Sequence, residues 1–306
     1  MHPEEGYITV KHPPFGGFFV REREMKLRKL IPKGRIREGV TTLLVSCGVT
    51  FTGGERSYRP ACSRDDIEAK LLKPQNIPAL VGLGRHHCGF TGKDWIEERK
   101  ADVTELLDLG MDRARIVFAV PENRTATKIV ASEYPGLTRA FLKKRFPEAR
   151  VIRSWGATEA LPPDDADGIV DVVSSGDTLR TNRLIEVETL MDTSTRFIAN
   201  RMEYEGNPAL RKKLDDLTTL MQSCLDARSR RLLEMNVHKN SMMAITRILP
   251  CMRSPTVAPL HDGQGFSVKA AVPAKDIPGI IPELVRLGAT DILESRMERI
   301  LAGGRQ

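Results

Sequence analysis

Between about Met25 and Asn200 one pattern recurs: a short apolar run rich in β-branched residues, a turn of small residues or proline, then apolar positions three and four apart. Strand and helix periods in alternation indicate a parallel or mixed sheet flanked by helices, the α/β class. "KLRKLIPKGRI" gives a strand that stops at Pro-Lys-Gly, and "IREGVTTLLVSCGV" sets Ile36, Val40, Leu43 and Leu44 at helical spacing until Gly48. "EAKLLKP", "HHCGFTGKD" and "ARIVFAVP" read as further strands and "NIPALVGLG" as a short helix. "GLTRAFLKKRFPEARVIRSWG" reads as helix then strand, and "ADGIVDVVSSGDTL" as strand then turn. This is too much for one small sheet, and two α/β lobes around a cleft is the simpler packing.

Beyond Asn200 a long helix is expected, capped by Asn207 with Pro208 in its first turn. Its stripe of Leu210, Leu214, Leu217, Leu220, Met221, Cys224 and Leu225 reads as core. The remainder runs strand, helix, two strands, helix, strand, a β-α-β-β-α-β order of ferredoxin-like type. The expected organisation is a flexible extension at 1–24, a first lobe from 25–108 and 200–228, a second lobe at 109–199, and a C-terminal domain at 229–306.

Charge and composition narrow the partners. Lys and Arg outnumber Asp and Glu by 47 to 40, which favours polyanionic ligands. No Lys/Arg block is present, and four Tyr and two Trp offer little base stacking, so phosphorylated small molecules fit better than nucleic acid. The five cysteines have no C-x-x-C spacing, which argues against a disulfide framework or structural zinc, and they read as reduced. The apolar stretch Phe15 to Val20 is too short for a signal core or a membrane span, so a cytoplasmic protein is expected.

"DGIVDVVSSGDTLRTN", Asp167 to Asn182, carries the most chemistry. Ile169, Val170, Val172 and Val173 make a buried strand, and Ser174-Ser175-Gly176 turns with little side-chain bulk. Such a turn leaves successive amides free to point at an anion, and a helix starting there adds its positive end. Of Asp167 and Asp171, the one at the strand's end is suited to accept hydrogen bonds from vicinal sugar hydroxyls. A phosphate beside a diol describes a ribose 5-phosphate.

This segment resembles the phosphoribosyl-diphosphate loop of the ATP phosphoribosyltransferase family, first enzyme of histidine biosynthesis. "PKGRI", "LLKPQNIPALV", "GFTGKDW", "IVASEYPGLTRAF" and, near the C-terminus, "RSPTVAPL" are similar to family segments in the same order. The resemblance implies a two-lobed body like a periplasmic binding protein plus a ferredoxin-like, ACT-like domain, as in the long form, in dimers and hexamers. It implies that N1 of ATP is joined to phosphoribosyl diphosphate, with Mg²⁺ present and pyrophosphate released. Ser174, Ser175, Gly176, Asp177, Thr178 and Leu179 would bind the 5-phosphate, and Asp171 the ribose hydroxyls. Lys33, with Arg35 or Lys93, would face the diphosphate or ATP phosphates, and Glu159 would orient the loop. Tyr134 reads as core filling, with packing near the adenine as the alternative. L-histidine would inhibit from a site that includes Asn236, Met252, Thr256 and Ala289.

Three departures stand out. Asp177 places a negative charge in the phosphate turn, His86-His87-Cys88 replaces small residues and an acid, and Asn236 stands where the family has an acid. The first two keep a second reading open, a non-catalytic nucleotide or phosphosugar sensor on the same scaffold. Adjacent residues of a strand face opposite ways, so His86-His87-Cys88 reads as a packing change rather than a metal site.

Overall fold

The computed structural model describes residues 26–53, 57–123, 127–261 and 263–301; the extension expected at 1–24 lies outside the described residues. The chain opens with β1 (Leu27–Pro32) and α1 (Arg37–Ser46), as the strand–turn–helix pattern required. A two-stranded hairpin, β2 (Phe51–Thr52) and β3 (Ala61–Cys62), leads into β4 (Ile67–Leu72). Then come α2 (Ile77–Gly82), β5 (Cys88–Gly92), α3 (Lys93–Arg99) and β6 (Val103–Asp108).

The second lobe begins with β7 (Ala114–Pro121), β8 (Ile129–Ser132), α4 (Pro135–Arg145) and β9 (Arg150–Arg153). It continues with β10 (Gly168–Val173), α5 (Asp177–Thr181) and β11 (Leu184–Thr193). β12 (Thr195–Asn200) returns to the first sheet, where it pairs antiparallel with both β5 and β6. By strand pairing, therefore, the second crossover lies between Thr193 and Thr195, earlier than the boundary at 200 read from the sequence. The two sheets have the orders β4-β1-β5-β12-β6 and β11-β7-β10-β8-β9.

α6 (Arg201–Gly206) and α7 (Pro208–Arg228) follow. Asn207 caps α7 by accepting the Leu210 amide at 3.1 Å, a contact worth about 1 kcal/mol. Leu210, Leu214, Leu217, Met221 and Cys224 are buried with Val40, Leu43 and Leu44 of α1 and with Phe90 and Phe197 of the sheet. Each such side chain contributes about 2 kcal/mol by leaving water, so the expected stripe is indeed core. Leu220, at 36% exposure, lies off it.

The C-terminal unit contains β13 (Arg230–His238), α8 (Met242–Ile248), β14 (Thr256–Pro259), β15 (Gly265–Pro273), α9 (Ile277–Arg286) and β16 (Ala289–Arg296). Its sheet order, β14-β15-β13-β16, is the ferredoxin-like one. Leu233, Met235 and Val237 alternate toward Ile245, Leu249, Ile277 and Leu284 of the helices, which buries one face of the sheet. Among the described residues no helix is long and apolar enough to cross a membrane.

Candidate active site

Parallel pairing of β10 with β8 and of β8 with β9 brings three strand ends to one edge of the second lobe. From β10 comes the turn Ser174–Gly176, with Gly176 at φ +81° as the residue before α5. Only glycine holds that conformation without strain. Among the described residues, the amide of Asp177 reaches Ser175 Oγ at 3.4 Å, and no other amide from Ser174 to Leu179 has a protein acceptor. The Leu179 side chain is buried beside Val173 and Leu184 and anchors the turn to the core.

Asp177 finds its partners within the turn and on the helix that follows it. Its carboxylate accepts the Ser175 hydroxyl at 2.5 Å and pairs with Arg180. Those two contacts hold the Asp177 carboxyl below the usual range, the Ser175 hydrogen bond first. The acid is thus paired locally with the Ser175 hydroxyl and the Arg180 cation.

Asp171 lies within β10 at 8% exposure, and its Oδ1 accepts the Val172 amide at 2.7 Å. Burial pushes its pKa up to about 6 against hydrogen bonds from Val172 and Thr158, and the charges of Glu159 and Glu133 push the same way. The hydroxyls of Thr158 and Ser154 lie 2.6 Å apart, which links this acid's surroundings to Ser154. The turn from Ser154 to Glu159 is therefore tied to the diol candidate. Asp167 has a different task, since its Oδ2 accepts the amides of Lys128 and Ile129 at 2.7 and 2.8 Å.

From the first lobe, Arg35 donates to Ser174 Oγ at 2.9 Å and so bridges the cleft. Lys33, on the turn after β1, places Nζ 3.8 Å from the centroid of the Tyr58 ring. Lys93 opens α3 and donates its amide to the Ser194 carbonyl at 3.1 Å. An interlobe cavity of about 250 Å³ is lined by Arg35, Gln75, Trp95, Glu133 and Tyr134 among others, and one of about 550 Å³ by Arg113, Arg115, Ser174 and Arg196 among others. Neither Lys33 nor Lys93 lines either cavity.

The lobes are also joined through buried polar contacts. Asp94 accepts the hydroxyls of Thr193 and Tyr134, each at 2.7 Å, and Trp95 stacks on Tyr134 with centroids 4.4 Å apart. Tyr134 is 2% exposed, and burial, then Asp94, raises its phenol pKa well above the ordinary value. Tyr134 thus packs in the core of the second lobe and also lines the smaller interlobe cavity. Glu98 of α3 accepts the amides of Gly136 and Leu137, both at 2.9 Å, and so caps α4 from the other lobe.

Glu133, Asp94, Glu98 and Thr193 escaped the sequence reading. Pro135 in the first turn of α4 does signal that the next amides need an acceptor, but nothing nearby in sequence supplies Glu98.

His86-His87-Cys88 lies at the start of β5. His87 Nδ1 accepts the Arg28 amide at 3.0 Å, its Nε2 lies 3.4 Å from Glu203, and Cys88 is buried at the sheet centre. Among the described residues no group of three or more His, Cys, Asp or Glu is arranged to hold a metal ion.

In the C-terminal unit the four candidate regulatory residues separate into two places. Met252 and Thr256 line a cavity of about 470 Å³ with Arg253, Ser254 and Lys269. Asn236 donates to Asp291 Oδ2 at 2.8 Å, and Ala289 pairs with Val237, at the β13–β16 edge.

Among models of protein families, residues 73–223 match the one described as ATP phosphoribosyltransferase, and residues 227–299 the one described as HisG, C-terminal domain. An ATP phosphoribosyltransferase of Chlorobium luteolum is 37% identical over 289 residues, 90% of this chain and 98% of that protein. One of Chlorobium phaeovibrioides is 35% identical over 283 residues, 89% of this chain and 96% of that protein. Among solved structures, a chain of the ATP phosphoribosyl transferase (HisG:HisZ) complex from Thermotoga maritima superposes with a TM-score of 0.58 at 26% identity, over 64% of this chain and 98% of that one.

Proposed function

This chain belongs to the ATP phosphoribosyltransferase family, and we propose that it holds phosphoribosyl diphosphate on the second lobe and ATP across the cleft. It is a pentosyltransferase that joins N1 of ATP to the anomeric carbon and releases pyrophosphate, the first step of L-histidine biosynthesis. The observation that carries the assignment of residues is that, among the described residues, every amide from Ser174 to Leu179 except that of Asp177 lacks a protein acceptor, on the turn that follows the buried Asp171.

The chemistry follows from charge. The leaving diphosphate gathers negative charge while the sugar gains cationic character, so fixed donors must meet the one and a carboxylate the other. The Ser174–Leu179 amides seat the 5-phosphate, and ionised Asp171 accepts the ribose hydroxyls, which holds the ring for in-line attack. Arg35 exchanges Ser174 Oγ for substrate phosphate, and Lys33 and Lys93 supply further positive charge. Glu159 sets the turn that orients Asp171. The pairing of Asp177 with Arg180 offsets part of its charge and weakens the support it gives the sensor reading.

The family generally uses a divalent metal. Mg²⁺ keeps several waters and substrate phosphates and needs only one or two protein carboxylates, so it would require no preformed cage of protein ligands. Glu133 and Asp171 are the residues we would assign to it, and its chemistry there is neutralisation of diphosphate charge.

We further read residues 229–306 as a domain that binds L-histidine as an inhibitor, and the chain as a cytoplasmic dimer or hexamer. Support comes from Met252 and Thr256 sharing one cavity and from five unpaired cysteines, which suit a reducing compartment. Titration with histidine should lower the rate; absence of both heat and inhibition refutes that part. A coupled assay of pyrophosphate release tests the rest: wild type turns over, and Asp171→Asn does so at least about tenfold more slowly. A silent wild type would overturn the function, and a fully active variant the placement of the diol.

A further inference from the structure

We infer that Tyr58 is a positioning residue for Lys33, holding its ammonium on an aromatic face so that the charge stays free for a polyphosphate. The inference rests on the role proposed for Lys33 above.

Both partners are fixed to the same strand end. The Lys33 amide donates to the Leu72 carbonyl at 2.7 Å, and the Tyr58 carbonyl accepts the Leu71 amide at 2.8 Å. Ser57 Oγ donates to the Arg59 carbonyl at 3.0 Å, and Arg59 pairs with Glu68 of β4 at 2.7 Å, which braces the segment carrying Tyr58. Tyr58 is 59% exposed, so it contributes little to the core. What it does have is Lys33 Nζ above its face, 3.8 Å from the centroid.

The nature of the partner matters. Several nearby cations are matched to carboxylates, Arg59 to Glu68 and Arg64 to Asp66, whereas Lys33 has no carboxylate partner among the described residues. A carboxylate would cancel the charge and compete with an incoming anion. A ring quadrupole attracts an ammonium weakly at an exposed site and leaves its formal charge intact. Lys33 is thereby kept off alternative acids and can be handed to phosphate oxygens, which bind it far more strongly.

The test is a set of four variants in the pyrophosphate-release assay, with both substrates varied. Tyr58→Leu should lower kcat/KM about three- to tenfold for whichever substrate Lys33→Ala also impairs, with an unchanged thermal midpoint. Tyr58→Phe, which keeps the ring face, should restore most of that loss. In the Lys33→Ala background Tyr58→Leu should add nothing, because the two act through one contact. If Lys33→Ala is impaired but Tyr58→Leu is not, or if their effects multiply, or if Tyr58→Phe is as poor as Tyr58→Leu, the positioning role is wrong while the Lys33 assignment survives. If Lys33→Ala is unimpaired, both fall.

Discussion

Replacing Asp171 by Asn separates what the fold favours at that position from what the substrate needs. An Asp in the unfolded chain titrates at about 3.9. In the native protein burial, helped by Glu159 and Glu133, pushes this one up to about 6. A carboxyl whose pKa rises on folding binds protons more readily in the native state, so its ionised form opposes folding. That cost is absent below about pH 4, grows as pH rises to about 6, and above that amounts to roughly 3 kcal/mol. Asn keeps the oxygen that accepts the Val172 amide at 2.7 Å and carries no charge. After allowance for a less suitable partner for the Thr158 hydroxyl, we expect Asp171→Asn to be more stable than wild type by about 1–2 kcal/mol at about pH 8. At about pH 4 the advantage should vanish. Thermal unfolding across that range reads the first part, as a midpoint several degrees higher at the alkaline end. Kinetics read the second: wild-type kcat/KM for phosphoribosyl diphosphate should fall as pH drops through about 6, and the slower variant should lack that step. An Asp171→Asn protein that is less stable at about pH 8, or one that keeps the wild-type pH profile, would refute the buried-acid argument.

Further outcomes follow from the same geometry. Gly176→Ala forces a side chain into φ +81° with its Cβ 3.2 Å from Arg180, so the phosphate turn should distort at a cost of about 1 kcal/mol and KM for phosphoribosyl diphosphate should rise. Glu98→Ala leaves the Gly136 and Leu137 amides without their acceptor and should cost about 1–2 kcal/mol, seen as a lower midpoint in thermal or urea unfolding. Tyr134→Phe removes one of the two hydroxyls on buried Asp94 and should destabilise by about 1–3 kcal/mol; an unchanged midpoint would mean that water replaces the lost donor.

Much of this architecture is legible locally. β1 and α1, the Asn207 cap of α7, and the ferredoxin-like order each depend on spacing and turn residues within a few positions. β11 and β12 are harder to see. β11 is an edge strand whose outward Glu186 and Glu188 pair with Arg115 and Arg145, so its pattern is largely polar. β6 and α3 went unread for a similar reason, since each leaves most of its residues partly or fully exposed. The acid in the phosphate turn shows the same limit. That Asp177 would be satisfied by Ser175 and Arg180 depends on how the turn closes, which its composition alone does not specify.

By itself the sequence determined the alternation of strand and helix, the small-residue turn after β10 and the acid within that strand, because periodicity and backbone permissiveness are properties of neighbouring residues. Only the tertiary structure decided that the charges of Glu133 and Glu159 act on Asp171, that Glu98 caps a helix of the other lobe, and that Arg35 reaches Ser174. Those contacts join residues far apart in the chain, and their energies depend on distance and burial, which arise only when the sheets close on each other.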